Sequence, residues 1–286
     1  MRIRVDHRTS YTYAMPASAV VQALRLSPRD HDAQHVRSWR VDADVDGTMR
    51  ETQDAFGNRV MMFYAEGSIS ALTLSVHGEV DVSDSAGVIR AQELLPPMVY
   101  LRPTVLTTSD AAIGALAKAV RHDDVLASCH ALMAAIREGM EFQPGTTGTA
   151  TPAAEALAAA SGVCQDFAQI FCTAAREIEI PARYVSGHLA RPGEEQQEAA
   201  HAWAEAYVPD LGWVAFDPAN GICATDAYLR VAIGLDYLDA APVRGARRGG
   251  GAEHMVVEVH AAASPIPGGT VVQSQVQHEF RGKNGQ

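Results

Sequence analysis

Residues 162–178 read GVCQDFAQIFCTAAREI, and the rest of the chain is organised around this run. Phe167, Ile170, Phe171, Ala174, Ala175 and Ile178 recur at helical spacing, the strongest such stripe in the sequence. An apolar stripe of that period is a helix that buries one face against another layer. Cys164 opens the helix, so its thiol lies where unpaired backbone N–H groups and the positive end of the helix dipole favour a thiolate. The amides of Cys164 and Gln165 are in place to hold an oxyanion. A plainer reading of Cys164 is a small buried side chain, since free cysteine is among the most buried types. Asp166 suits the first turn of a helix, but its charge opposes a thiolate, so a nucleophile here needs a histidine beside it.

Downstream of Ile180-Pro181 the period falls to two, with strands expected at 182–189, 200–208, 211–217 and 255–260 and a charged loop at 191–199. Upstream, 110–120 and 124–138 carry helical spacing, and Gly139 follows the second run. Thr151-Pro152 opens a short alanine-rich helix that Gly162 can terminate. The first 85 or so residues alternate instead: Ile3, Val5, Tyr11 and Tyr13 share one parity, and Leu72, Leu74, Val76, Val80 and Val82 another. That is antiparallel strand with one buried face. The expected class is therefore α+β. Residues 1–88 form an antiparallel β-sandwich-like domain, 89–108 a proline-bearing linker, and 109–262 a core of helices packed on an antiparallel sheet. Residues 263–286 form a tail in which Val272, Val276 and Phe280 leave room for one more strand.

The hydrophobic fraction of 47% with 20% charged residues is globular composition. Twenty-three basic against 34 acidic residues give a net charge of −11, which repels phosphate, so neither nucleic acid nor an anionic membrane is expected as a partner. The opening MRIRVDHRTS has no apolar signal-peptide region and no window is long enough to span a bilayer, so a soluble cytoplasmic protein is expected. Cys129, Cys164, Cys172 and Cys223 lack metal-type spacing and read as free thiols, with Cys172 turned into the core.

Two alternating runs, from His201 to Tyr207 and from Leu211 to Asp217, read as a hairpin. If Val208-Pro209-Asp210 is the loop, His201 sits directly opposite Asp217 on one face, and Ala202 and Ala204 oppose Phe216 and Val214 on the other. A carboxylate there fixes the imidazole tautomer and leaves the second ring nitrogen free to take a thiol proton. Trp203 shares that face and is placed to shield the pair from water. Alone, the run is equally an ordinary hairpin with a salt-bridged histidine.

Gly162-Val163-Cys164-Gln165-Asp166-Phe167, then Ile180-Pro181-Ala182-Arg183-Tyr184-Val185-Ser186-Gly187, His201-Ala202-Trp203 and Phe216-Asp217-Pro218-Ala219-Asn220 resemble the transglutaminase-like cysteine enzymes. The order Cys, His, Asp and the β-rich first domain are similar to the two-domain bacterial branch. The resemblance implies a papain-like core with Cys164 as nucleophile, His201 as general base and acid, and Asp217 orienting His201. It makes Tyr184, His188 and Trp203 candidates for the substrate pocket, with His188 standing where this branch has a tyrosine. Residues 244–251 and Tyr237 are placed at the border of the groove. No cofactor or metal is implied.

The expected reaction is hydrolysis of a peptide or isopeptide-type amide in a peptide or protein substrate. Transfer of the acyl group to an amine is the nearest alternative, and a catalytically silent binding module the alternative of another class. Asp42-x-Asp44-x-Asp46-Gly47 begins like a calcium loop, but position 53 is Gln53 instead of the bidentate glutamate and the flanks alternate like strands. His31 and His35 read as loop residues.

Overall fold

The computed structural model describes residues 1–190 and 200–266. Antiparallel strands β1 (Arg2–Ser27), β2 (Gln34–Ala43), β3 (Thr48–Gln53) and β4 (Arg59–Val82) form the first sheet, as the alternating parity requires. The two long strands shift register where β1 passes from Thr12 to Ala19. Inward positions change there from odd (Ile3, Val5, Tyr11, Tyr13) to even (Val20, Leu24, Leu26). Such irregularities bend and twist a strand. Residues from both halves of β4, Phe63 and Ala65 with Leu72, Leu74 and Val76, meet in one core cluster. The sandwich-like packing thus comes from one sheet curled on itself.

Strand β5 (Val88–Ile89) follows and pairs not with this sheet but with a strand of the second. The stretch read as a linker is consequently docked. Tyr100, in a short 3-10 turn over Pro97–Leu101, is buried, and Glu93 makes a bidentate pair at 2.8 and 2.9 Å with the buried guanidinium of Arg183. Arg183 also bonds Glu205, which in turn holds Arg230, and the Arg183 guanidinium lies 3.8 Å over the Trp213 ring. A buried charge needs such partners, which is why proline-rich chain is anchored here.

The second half begins with α1 (Ala111–Ala119) and α2 (Val125–Gly139), whose N-termini are capped by the carboxylates of Asp110 and Asp124. Next come β6 (Glu141–Phe142), α3 (Ala153–Ala159), β7 (Ser161–Gly162) and α4 (Cys164–Glu177). Helix α3 ends at Ala160, which takes the left-handed conformation expected of Gly162. Helix α4 is enclosed on all sides, every residue from Gln165 to Ala175 being buried, where periodicity indicated one buried face. Strands β8 (Ala182–Leu189), β9 (Ala200–Val208), β10 (Gly212–Asp217), β11 (Ile222–Cys223) and β12 (Tyr228–Gly234) make an antiparallel sheet in the order β11-β10-β9-β8-β12. Ala202, Ala204, Ala206, Val214 and Phe216 turn one face to the helices and close the main core.

After α5 (Tyr237–Ala240) the chain leaves this core. β13 (Val243–Gly249) and β14 (Glu253–Ser264) pair with the two ends of β1. Residues 243–262, read as part of the second domain, therefore belong to the first sheet, where 244–249 form a strand paired with β1. Local alternation marks a strand but not its partner, and β1 offers unpaired edge along its whole length. The further strand expected over Val272, Val276 and Phe280 lies outside the described residues.

Candidate active site

Asp166 sets the start of α4. Its Oδ2 accepts from the Val163 N–H at 2.8 Å and from the Thr147 hydroxyl at 2.6 Å, and burial pushes its carboxyl up from the ordinary value despite these bonds. A Cβ on Gly162 would stand 2.6 Å from that oxygen, so glycine is needed there. Strand β7 pairs in parallel with β6, setting Phe142 beside Gly162. Cys164 is thereby held at the first helical position, half-buried and facing a cleft of about 550 Å3. The amides of Asp166 and Phe167 both donate to the Val163 carbonyl. Those of Cys164 and Gln165 precede them in the first turn, where a helix offers no acceptor.

The hairpin closes one residue later than expected. Val208 pairs with Gly212 and Ala204 with Phe216, leaving Pro209-Asp210-Leu211 as the loop. Asp210 and Gly212 adopt left-handed φ values of 67° and 86°, and glycine supplies the second without strain. His201 and Asp217 are diagonal rather than directly opposed, but remain on one face because the shift is even. His201 Nε2 donates to Asp217 Oδ2 at 2.6 Å, the Asn220 amide lies 3.3 Å from the same nitrogen, and Cys164 lines the same cleft as the ring. Burial works to lower the His201 pKa, but the bond to Asp217 and the nearness of Cys164 outweigh it and hold the imidazolium up to about 9.

Asp217 is fully buried, and burial alone would raise its carboxyl. The bonds from His201, Tyr228 and Asn220 hold it below the ordinary value. The Tyr228 hydroxyl donates to Oδ2 at 2.7 Å and the Asn220 amide at 2.6 Å, while the Ala219 and Asn220 N–H groups bond Oδ1. Neither Asn220 nor Tyr228 was assigned a role from sequence. Asn220 has a local signal, the turn that Asp217-Pro218-Ala219-Asn220 makes on its own carboxylate. Tyr228 arrives from β12 and has none.

The three pocket candidates do not line the cleft. Tyr184 is buried in the main core against Tyr237. Trp203 is buried beneath His201, ring centroids 6.2 Å apart, and edge-on to Tyr228. His188 is buried against the His7 ring of the first sheet. All three lie on strand β8 or β9 inside the sheet. The wall is made instead by Phe142, Pro144, Leu189, Ala219 and Arg137, with Asn220 beside His201. Among the described residues no group of three or more His, Cys, Asp or Glu is arranged to hold a metal ion, and no helix is long and apolar enough to cross a membrane. Burial pushes the thiols of Cys129 and Cys172 up to about 12, and raises that of half-buried Cys223.

Comparison with known proteins agrees with this architecture. Residues 114–218 match the transglutaminase-like superfamily core, and residues 3–81 match the bacterial transglutaminase-like N-terminal region. A Mycobacterium leprae protein, ML0607, is 33% identical over 274 residues, covering 90% of this chain and 97% of its own. The chain belongs to the transglutaminase-like superfamily. A second relative, Rv2569c of Mycobacterium tuberculosis, is 29% identical over 295 residues, with 93% of this chain and 94% of the relative covered. Among solved structures, a candidate cysteine protease from Cytophaga hutchinsonii superposes with a TM-score of 0.74 at 21% identity, covering 93% of this chain and 92% of that one. At that identity the likeness is one of fold, in both the curled sheet and the transglutaminase-like core.

Proposed function

We propose that this transglutaminase-like chain is a cysteine-nucleophile hydrolase of peptide or isopeptide-type amides, acting through an acyl-thioester on Cys164. The observation that carries this reading is that Cys164 and His201 line one open cleft, with His201 bonded to the buried carboxylate of Asp217. An imidazolium that persists to about pH 9 is the partner a thiolate needs at neutral pH. The sulfur attacks the carbonyl carbon, and the resulting oxyanion is held by the Cys164 and Gln165 N–H groups. His201 then gives its proton to the leaving amine as the C–N bond breaks and the thioester forms. In the second half His201 takes a proton from water, whose oxygen attacks the thioester; the C–S bond breaks, releasing a carboxylic acid and restoring the thiolate beside the His201 imidazolium. Asp217 keeps the ring oriented throughout. No step calls for a cofactor.

Incubating the protein with a glutamine-containing peptide and a labelled primary amine separates this from acyl transfer. Free carboxylic acid should exceed the amine adduct, and both should vanish with Cys164→Ala. Predominant amine incorporation would instead mark a transglutaminase. Absence of any thioester on Cys164 by mass spectrometry, with peptide bound but unchanged, would leave a binding module.

A further inference from the structure

The cleft that holds Cys164 and His201 carries a charge the hydrolysis itself does not use. Among its described lining residues Arg137 is the one permanent cation, set among apolar side chains such as Phe142, Pro144 and Leu189. Arg137 sits in the last turn of α2, exposed to solvent. Its Cγ lies 3.5 Å from where a Cβ of Gly221 would stand, so its stem runs along the turn that follows Asp217 and Asn220. Among the described residues it forms no ion pair, although Glu138 and Glu141 are close in sequence. A cation suits a helix C-terminus, which accounts for the residue type but not for its place in the cleft wall. In a chain of net charge −11, a guanidinium in the wall of this cleft is a local attraction for anions.

We infer that Arg137 selects a carboxylate on the substrate, so that the amide cleaved at Cys164 lies next to an acidic side chain or a free carboxyl terminus of a peptide. A guanidinium suits this task because its planar fork accepts a carboxylate bidentately. The inference rests on Cys164 being the nucleophile, and the test separates the two.

Three bromoacetyl probes differ only in their carboxylates: bromoacetyl-glutamine amide (neutral), bromoacetyl-glutamate α-amide (side-chain carboxylate) and bromoacetyl-glutamine (terminal carboxylate). In each the Cys164 sulfur displaces bromide, and the rate is read by mass spectrometry on the full chain. One anionic probe should alkylate wild type about 1.5- to 5-fold faster than the neutral probe, the range of an exposed ion pair. Which of the two is faster identifies the carboxylate's source. Arg137→Ala should bring the ratio to near one, Arg137→Lys should keep part of it, and Arg137→Glu should invert it. Raising salt from about 0.05 to about 0.5 M should shrink the wild-type ratio. Equal rates for all three probes in wild type, or a preference that survives Arg137→Ala, would overturn the role of Arg137 while leaving the nucleophile intact. If the neutral probe modifies Cys164 no faster than Cys223, the proposed activity falls as well.

Discussion

At Asp217 five donors converge on one buried carboxylate: the His201 ring, the Tyr228 hydroxyl, the Asn220 side-chain amide and the backbone N–H groups of Ala219 and Asn220. This satisfaction keeps an anion in the interior and, through it, a cation on His201. The folded His201 titrates near 9 and an unfolded histidine near 6.5, so the native state binds the proton more tightly. The pair's stabilisation is complete below about 6.5 and is lost as pH rises through about 9. Its size is at most about 3 kcal/mol from the separation of the two values. Denaturant unfolding of wild type should show stability falling over that window, and Asp217→Asn should flatten the fall. Identical pH slopes for the two proteins would contradict the linkage. At this scale the shared location of Cys164, His201 and Asp217 was legible because all three residue types stand in recognisable runs. Tyr228 was not, since nothing local marks a tyrosine whose partner is reached only through sheet pairing. Tyr184, His188 and Trp203 are buried inside the sheet, with Trp203 stacked on the His201 ring. Alternation tells which residues share a face, not which face is covered by other chain.

Helix α4 is the element that brings Cys164 to the cleft that His201 also lines. Gly162, Val163 and Asp166 act together: the glycine leaves room for a carboxylate that caps the Val163 N–H, and Cys164 is delivered at the first helical residue. Gly162→Ala should force Asp166 off its two donors and lower stability by about 1–3 kcal/mol, the usual penalty of overpacking. A chemical-denaturation midpoint checks it, and an unchanged midpoint would show the crowding to be relieved without cost. The helix was readable from its apolar stripe, but its burial on all sides was not. Gln165, Asp166, Gln169 and Thr173 are polar in sequence and look solvent-facing, yet are buried. The hairpin register was missed by one residue on each strand because two left-handed positions, Asp210 and Gly212, extend the turn toward β10.

Across the whole molecule, the first sheet is bolted to the edge of the second. The Gln34 amide bonds both the N–H and the carbonyl of Arg230 at 2.9 Å, and the Asn58 amide does the same for Ile233 at 2.9 and 2.7 Å. Two side chains thus imitate a neighbouring strand and satisfy the exposed edge of β12. Ile3, Val5, Val80 and Val82 of the first sheet share an apolar cluster with Leu229 and Val231 of the second. The α+β class and the two-part order followed from the change of period along the chain. The return of β13 and β14 to the first sheet did not, because it is a pairing over more than 200 residues that leaves no local trace. The central claim, that this framework activates one sulfur through an imidazole braced by a carboxylate, is tested most directly by iodoacetamide labelling from pH 6 to 9. Wild type should show one fast site at Cys164, absent in Cys164→Ala and slowed at least about tenfold in His201→Ala. Uniformly slow modification of Cys129, Cys164, Cys172 and Cys223, indifferent to His201, would contradict it.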